Sequence, residues 1–194
     1  DAQVLAIKLF RHLVSMRALA SGATVATASG QTVFFVDHAS VKVVARAALE
    51  TYLVFFYLYG TADQSLRQFR HKTWQLGGLA DRQRFHATTQ QGHEVLSSEK
   101  KRMEELRSEI EMLPHLKQYT DRQRKKLLSG EWRIGNGWAD LGAHAGFHEK
   151  YFDNIYGYLC GYSHSSYLSA LQVGQAKSIE EQQALTQSIL GIGV

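Results

Sequence analysis

The densest set of chemically active side chains lies near the carboxyl end, in Tyr156-Gly-Tyr-Leu-Cys-Gly-Tyr-Ser-His-Ser-Ser-Tyr167. His164 can exchange a proton near neutral pH, and Ser163 could orient the imidazole or receive its proton. A serine directly beside a histidine does not define a catalytic triad, because triads are assembled from residues distant in sequence. Two interpretations of His164 therefore stay open: a general acid–base, or a core-facing histidine that is hydrogen-bonded to Asp37 or Glu50.

A charged pair interrupts the most apolar stretch of the chain. Arg46 and Glu50 are four residues apart in a predicted helix over 33–59, so both side chains project from one face. Burying two charges is costly, so their presence among apolar residues favours a polar site. The alternative is a structural ion pair that reaches solvent. The candidate catalytic residues are Arg46, Glu50, Ser163 and His164.

Basic residues cluster in two regions, although the formal net charge is only +4. Arg67-Gln-Phe-Arg-His71 and Arg82-Gln-Arg-Phe-His86 combine arginines with an aromatic residue, which suits phosphate contacts and base stacking. An amphipathic helix with solvated cations gives the same pattern. The candidate nucleic-acid contacts are Arg67, Arg70, Lys72, Arg82, Arg84, Arg122, Arg124, Lys125 and Lys126.

Metal and cofactor motifs are scarce. Asp140, His144 and His148 recur every four residues and would align on an unbroken helix, but Gly142 and Gly146 argue against such a helix. One cysteine in the whole chain excludes a multi-cysteine metal site. We predict no cofactor and no metal, with the aspartate and the two histidines as the remaining metal candidates.

Helical spacing of apolar residues predicts an all-α fold, a helical bundle with a long central apolar helix at 33–59. Val4, Ile7, Phe10 and Val14 mark the apolar face of a first helix. Residues 21–31 predict a flexible loop because small and polar residues dominate there without periodicity. Gly77-Gly78 is expected to end the helix that precedes it.

A projecting helical hairpin is predicted over 81–129, with helices at 81–113 and 116–129. Apolar residues in the first of these helices follow the a/d spacing of a two-helix seam: Leu96, Met103, Leu106, Ile110 and Leu113. Pro114 ends that helix, and Thr120 with Gln123 forms a capping box for the next. We treat 1–194 as a single domain that could self-associate or bind a protein partner through this seam.

The amino end does not resemble a secretory leader, because Lys8, Arg11 and Arg17 are dispersed among the apolar residues. The apolar run at 51–59 is about half of the roughly 20 residues that a spanning helix needs. We predict no membrane span and a cytoplasmic location.

The stretches Asp37-His-Ala-Ser, Val44-Ala-Arg-Ala-Ala-Leu-Glu-Thr-Tyr52 and Tyr158-x-x-x-Tyr-Ser-His164, with Trp74 between them, resemble a bacterial helical family of unknown function, DUF5677. The resemblance covers about residues 33–170. It implies an all-α bundle in which Arg46, Glu50 and the Ser163-His164 pair meet, and it implies no activity.

A more distant likeness is to HEPN helical domains, which include toxin and defence ribonucleases. In those domains four to six residues separate an arginine from a following histidine on a late helix, and no arginine precedes His164 at that spacing. Two functions are therefore expected. One is a regulatory or interaction module that acts through a homo-oligomer or protein partner. The other is a HEPN-like metal-independent ribonuclease or RNA-binding protein.

Overall fold

The computed structural model describes residues 1–133, 135 and 137–191, and α-helices dominate them, which confirms the predicted all-α class. The elements in chain order are α1 Ala2–Ala20, β1 Ala23–Ala26, β2 Thr32–Phe35, α2 His38–Tyr59, α3 Gln64–Arg82, α4 Gln90–Glu111, a 3₁₀ turn Pro114–Gln118, α5 Asp121–Ser129, α6 Trp138–His144, α7 Glu149–Ser163, α8 Tyr167–Gln175 and α9 Ile179–Leu190. Over the described ranges, none of these helices combines the length and hydropathy that a bilayer crossing requires.

The chain divides into two compact units. Unit 1 comprises Asp1–Phe55 and Gly142–Val194, and unit 2 comprises Phe56–Leu141. In unit 1, α1, α2, α7 and α9 share a core built around Met16, Ala45, Ala48, Leu159 and Ile189. In unit 2, α3, α4 and α5 enclose Phe69, Leu76, Met103, Leu106, Ile110, Leu116 and Leu127.

The loop predicted at 21–31 is wrong, because this segment belongs to a β-hairpin. β1 pairs antiparallel with β2, and Val25 lies opposite Val33. The β-branched residues of Ala23-Thr-Val-Ala26 and Thr32-Val-Phe-Phe35 favour extended backbone, and Gly30 turns the chain with a φ of 80°. The central helix consequently begins at His38 and not at residue 33. The Asp37 carboxylate accepts a hydrogen bond from the Ser40 N–H at 3.0 Å and so caps its first turn.

The apolar face predicted for α1 is also wrong. Leu5 and Met16 are the buried residues of this helix. The predicted stripe faces solvent together with Leu13, with exposed fractions of 42–66%: Val4, Ile7, Phe10, Leu13 and Val14. Apolar residues occur on both sides of α1. The periodicity therefore identifies an apolar stripe, but it does not show which side of the helix is buried.

Unit 2 differs from the predicted hairpin in its boundaries and its contacts. α3 continues through Gly77-Gly78 to Arg82, and α4 starts only at Gln90, where the Thr89 hydroxyl accepts a hydrogen bond from the Gly92 N–H. The predicted helix over 81–113 is therefore interrupted at 83–89. The capping box of Thr120 and Gln123 at the start of α5 is confirmed.

The a/d stripe of α4 is used inside unit 2. Met103, Leu106 and Ile110 are buried in the same cluster as Phe69 and Leu76 of α3. The seam predicted to bind a partner through 81–129 is thus covered by α3 of the same chain.

Candidate functional site

Four polar residues of α2 follow one another at one-turn spacing: His38, Lys42, Arg46 and Glu50. Because residues four apart lie on one face of a helix, they form a continuous polar row in a mainly apolar helix. All four residues, and the side chains that they contact on α7, belong to unit 1. The row has two halves of different character.

The first half is the Arg46 cluster, formed by Arg46, Glu50, Tyr156 and His164. Arg46 Nε donates to Glu50 Oε1 at 3.0 Å, with exposed side-chain fractions of 21% and 26%. The predicted pair therefore exists, and it reaches the edge of the solvent. Such an arrangement keeps both charges without the full cost of burial.

Tyr156 of α7 ties this ion pair together. Its hydroxyl donates to Glu50 Oε1 at 2.7 Å and accepts from Arg46 Nη2 at 3.4 Å, while the Arg46 guanidinium lies 5.5 Å from the centre of the Tyr156 ring. Burial, followed by the hydrogen bond to Glu50, raises the pKa of Tyr156 well above its usual range. The tyrosine is therefore a neutral hydrogen-bond donor at physiological pH.

Arg46 is held as a cation. Burial alone would lower its pKa, but the hydrogen bond with Tyr156 and the charge of Glu50 outweigh that effect and raise the pKa. Two sides of the guanidinium are thereby fixed by Glu50 and Tyr156. Nη1 points to the exposed side chain of His164, whose Nε2 lies 3.2 Å away.

The contact between Arg46 and His164 determines the imidazole tautomer. A guanidinium can only donate, so His164 Nε2 accepts and the ring proton of the neutral imidazole sits on Nδ1. His164 is thus not the core-facing histidine of the second interpretation, because its side chain is exposed and its hydrogen-bond partner is Arg46. It follows α7 directly, next to Ser165, which has a positive φ of 52°.

Ser163 does not join the cluster through its hydroxyl. Ser163 Oγ donates to the Leu159 carbonyl at 3.3 Å, one turn back along α7. This back-bonding is common for serine in helices. The predicted pairing of Ser163 with His164 is therefore not formed in this structure.

The second half of the row centres on Lys42, which was not among the predicted site residues. Lys42 is fully buried, and its Nζ lies 3.1 Å from His38 Nδ1 and 4.5 Å from the centre of the Tyr162 ring. Burial lowers the pKa of Lys42 to about 8. Burial and the Lys42 charge also lower the pKa of His38. The sequence signal that could have identified Lys42 as a site residue is its one-turn spacing from His38 and Arg46 on α2.

A family model described as a family of unknown function (DUF5677) matches residues 8–182. The chain belongs to this family. The resemblance predicted from 33–170 is thus confirmed and extends further towards both ends. No curated protein and no solved structure matches the chain significantly.

In this DUF5677 chain, most of the predicted nucleic-acid contacts have partners within unit 2. Arg70 donates to the Tyr57 carbonyl and lies over the Tyr57 ring, and Arg67 donates to the Thr61 carbonyl. Five others pair with carboxylates: Lys72 with Glu109, Arg82 with Glu99, Arg84 with Asp81, Arg124 with Asp121 and Lys126 with Glu131. These contacts favour the alternative of ordinary helix surfaces.

Arg122 and Lys125 differ from the other seven basic candidates. Both are exposed on α5, and within the described ranges neither forms an ion pair. Of the predicted contacts, these two cations are the most available to a polyanion.

The metal candidates of this DUF5677 chain do not lie on one continuous helix. α6 ends at His144, Gly146 takes a positive φ of 88°, and His148 precedes the first residue of α7. Across the residues that the structure describes, no group of three potential ligands is close enough to hold a metal ion.

Proposed function

We propose that the Arg46 cluster binds a phosphodiester of RNA and that His164 transfers the proton in its metal-independent cleavage. The observation that carries this proposal is the 3.2 Å contact between Arg46 Nη1 and His164 Nε2 at the exposed edge of the cluster. It joins a fixed cation to a neutral base, which are the two groups that such a cleavage needs. The likeness to HEPN ribonucleases itself stays a prediction.

Glu50 and Tyr156 would prepare Arg46 for an anion. They occupy Nε and Nη2 and hold the guanidinium in one orientation. A phosphate that approaches from solvent offers Nη1 a charged acceptor in place of the neutral imidazole, and hydrogen bonds between charged groups are stronger. Arg46 would then exchange His164 for a phosphoryl oxygen.

That exchange frees the lone pair of His164 Nε2 for the proton transfer. The 2′-oxygen attacks phosphorus, its proton passes to Nε2, and the bond from phosphorus to the 5′-oxygen breaks. The leaving 5′-oxygen takes a proton from water, and the hydroxide formed takes the proton from His164 Nε2, which restores the neutral imidazole. The products are a 2′,3′-cyclic phosphate end and a 5′-hydroxyl end. Arg46 stabilises the additional negative charge on the phosphoryl oxygens in the transition state.

The test is cleavage of labelled single-stranded RNA by the full chain in EDTA, beside a DNA of the same sequence. We expect RNA cleavage to 2′,3′-cyclic phosphate ends and no cleavage of DNA, which lacks the attacking hydroxyl. His164→Ala and Arg46→Ala are each expected to lose at least roughly 100-fold in rate, the scale of general acid–base and electrostatic catalysis.

Two exposed residues give matched controls. His148→Ala removes a surface histidine that makes no side-chain cap bond, and Arg122→Ala removes an exposed arginine of α5, a helix of unit 2. Both should leave the intrinsic cleavage step unchanged at saturating RNA. If the folded wild-type chain leaves RNA intact, or if His164→Ala cleaves at the wild-type rate, the proposal is wrong.

A second function, self-association, is favoured by the exposed apolar stripe of α1. Phe10 is 66% and Val4 is 65% exposed, which is unusual for large apolar side chains on one helix face. Two copies could cover these stripes by packing their α1 helices together. The flanking Lys8, Arg11 and Arg17 would repel their counterparts, so the association should strengthen as salt screens them.

Light scattering over a range of protein and salt concentrations tests this second function. We expect a dimer that becomes more stable with added salt and is lost in Phe10→Glu, with Phe85→Glu as the matched control at an exposed site outside α1. A wild-type mass that remains monomeric at high protein and salt concentration contradicts it.

A further inference from the structure

Unit 1 contains an apolar cavity of about 410 Å³, open on one side, between α1, α2, α7 and α9. Ala45 and Ala48 leave space on the α2 side, and Leu13 closes part of the α1 side. Tyr52 supplies the one hydroxyl among the lining side chains, and none of these side chains is charged. The volume lies within the roughly 300–1,000 Å³ that is typical of small-molecule sites.

The cavity is open towards solvent on the α1 side. Leu13 lines it and is 46% exposed, whereas Ala48 and Leu159, which also line it, are buried. A ligand can therefore enter past Leu13 without unfolding the core. The site is too small for a helix of another protein but large enough for a compact molecule.

We infer that this cavity binds a neutral small molecule that is mainly hydrocarbon. Apolar walls stabilise apolar surface that leaves water. An ionised group would lose its hydration there without gaining a charged partner. The lining thus selects against carboxylates and ammonium groups.

A series of rings connects the cavity wall to the Arg46 cluster. Tyr52 and Phe147 line the cavity with their ring centres 6.4 Å apart, and Phe147 lies 5.9 Å from Phe152. Phe152 stacks on Tyr156 with ring centres 5.4 Å apart. A ligand that displaces Phe147 therefore changes the surroundings of the Tyr156 ring.

The experiment is an NMR titration of the full chain, labelled at methionine and alanine methyl groups and at tyrosine rings. Three probes share a ten-carbon chain: 1-decanol, decanoate and decyltrimethylammonium. We expect decanol to shift the Met16 and Ala48 methyl signals saturably, followed by the Tyr156 ring signals. Both charged probes should bind at least tenfold more weakly.

Matched variants decide whether the cavity itself is the site. Ala48→Leu fills the cavity with apolar volume and should weaken decanol binding at least tenfold, and Ala45→Val tests the same point if the larger change prevents folding. Ala6→Leu adds the same side chain on the exposed part of α1 and should bind decanol as the wild type does.

Three results would overturn the inference. They are equal affinities for decanol and decanoate, an unchanged affinity in the folded cavity-filling variant, and the absence of any saturable shift at Met16. A saturable shift at Met16 with unchanged Tyr156 signals overturns the connection to the Arg46 cluster. Because every readout is a binding signal, the inference stands or fails independently of RNA cleavage.

Discussion

Lys42 Nζ lies 3.1 Å from His38 Nδ1, one turn earlier on α2, and the lysine is fully buried. Tyr162 faces the ammonium group with its ring, and no ion pair between Lys42 and a carboxylate is found among the described residues. The ammonium group also donates a long hydrogen bond to the His38 carbonyl oxygen at 3.4 Å. A buried cation that is held by an imidazole, a carbonyl oxygen and aromatic rings is destabilising for the folded chain.

We therefore expect Lys42→Met to stabilise unit 1 at pH 7 by about 1 to 3 kcal/mol, because an apolar side chain of similar size replaces a buried charge. The loss of the contact with His38 reduces this gain. Urea unfolding measures the free energy, with Lys150→Met as the control at an exposed position of α7. A less stable Lys42→Met variant contradicts the expectation.

The pH dependence of the same variant follows from the lowered pKa of Lys42. The folded state releases the lysine proton near pH 8, and the unfolded state keeps it up to about 10.5. The unfolded chain thus binds more protons between these values, so this lysine makes the wild type more stable as the pH rises through that window. The advantage of Lys42→Met at pH 7 should shrink by pH 10. An advantage that is constant from pH 7 to 10 would mean that the amine titrates as it does in water.

Tyr156→Phe tests the hydroxyl that joins Arg46 and Glu50. It removes a hydrogen bond to a carboxylate, so we expect the free energy of unfolding to fall by about 1.5 to 3 kcal/mol. The control is Tyr167→Phe, whose side chain is 83% exposed. In a double-mutant cycle with Glu50→Gln, the two changes should not be additive, because they act on one hydrogen bond. Strict additivity contradicts the geometry.

Leu106→Ala tests whether the a/d stripe of α4 stabilises unit 2 or forms an interface with a partner, as the predicted seam would. Leu106 is fully buried between α4 and α3, so we expect the variant to lose about 2 to 5 kcal/mol of stability without a change in oligomeric mass. Val95→Ala, at a 39% exposed position of the same helix, should cost far less. A change in oligomeric mass without a loss of stability would indicate that the stripe of α4 is an interface between copies of the chain.

Local signals predicted the parts of this fold that depend on neighbouring residues. The capping box of Thr120 with Gln123 is formed as predicted, because it needs only residues three apart. The spacing of Arg46 and Glu50 likewise predicted their contact. The contacts with Tyr156 and His164 span 106 to 118 residues and required the packing of α7 on α2.

The failures have a different physical origin. The β-hairpin was missed because four-residue strands give too short an alternation to outweigh small, polar surroundings. Lys42 was overlooked because burial is a tertiary property, and its position in the row of α2 reveals nothing about the Tyr158 and Tyr162 rings that cover it.

Gly77 and Gly78 provide the sharpest example, because two adjacent glycines were expected to end α3 and the helix continues through both. A β-carbon on Gly77 would lie 2.4 Å from Trp132 Cδ1 and 2.8 Å from the Gly130 carbonyl oxygen, whereas one on Gly78 meets no atom within 4 Å. Gly77 is thus required for the close approach of the Gly130–Trp132 segment to α3. Gly78 only lowers the helix propensity.

We expect Gly78→Ala to stabilise unit 2 by up to about 1 kcal/mol, the difference in helix propensity between glycine and alanine. Gly77→Ala should destabilise it by about 1 to 3 kcal/mol, because the backbone at Gly130 must move away and the Trp132 packing is lost. Paired urea titrations, followed by tryptophan fluorescence, measure both. Equal effects of the two substitutions would show that the Gly130–Trp132 segment does not pack closely against α3 in solution, since the contacts with this segment distinguish the two positions.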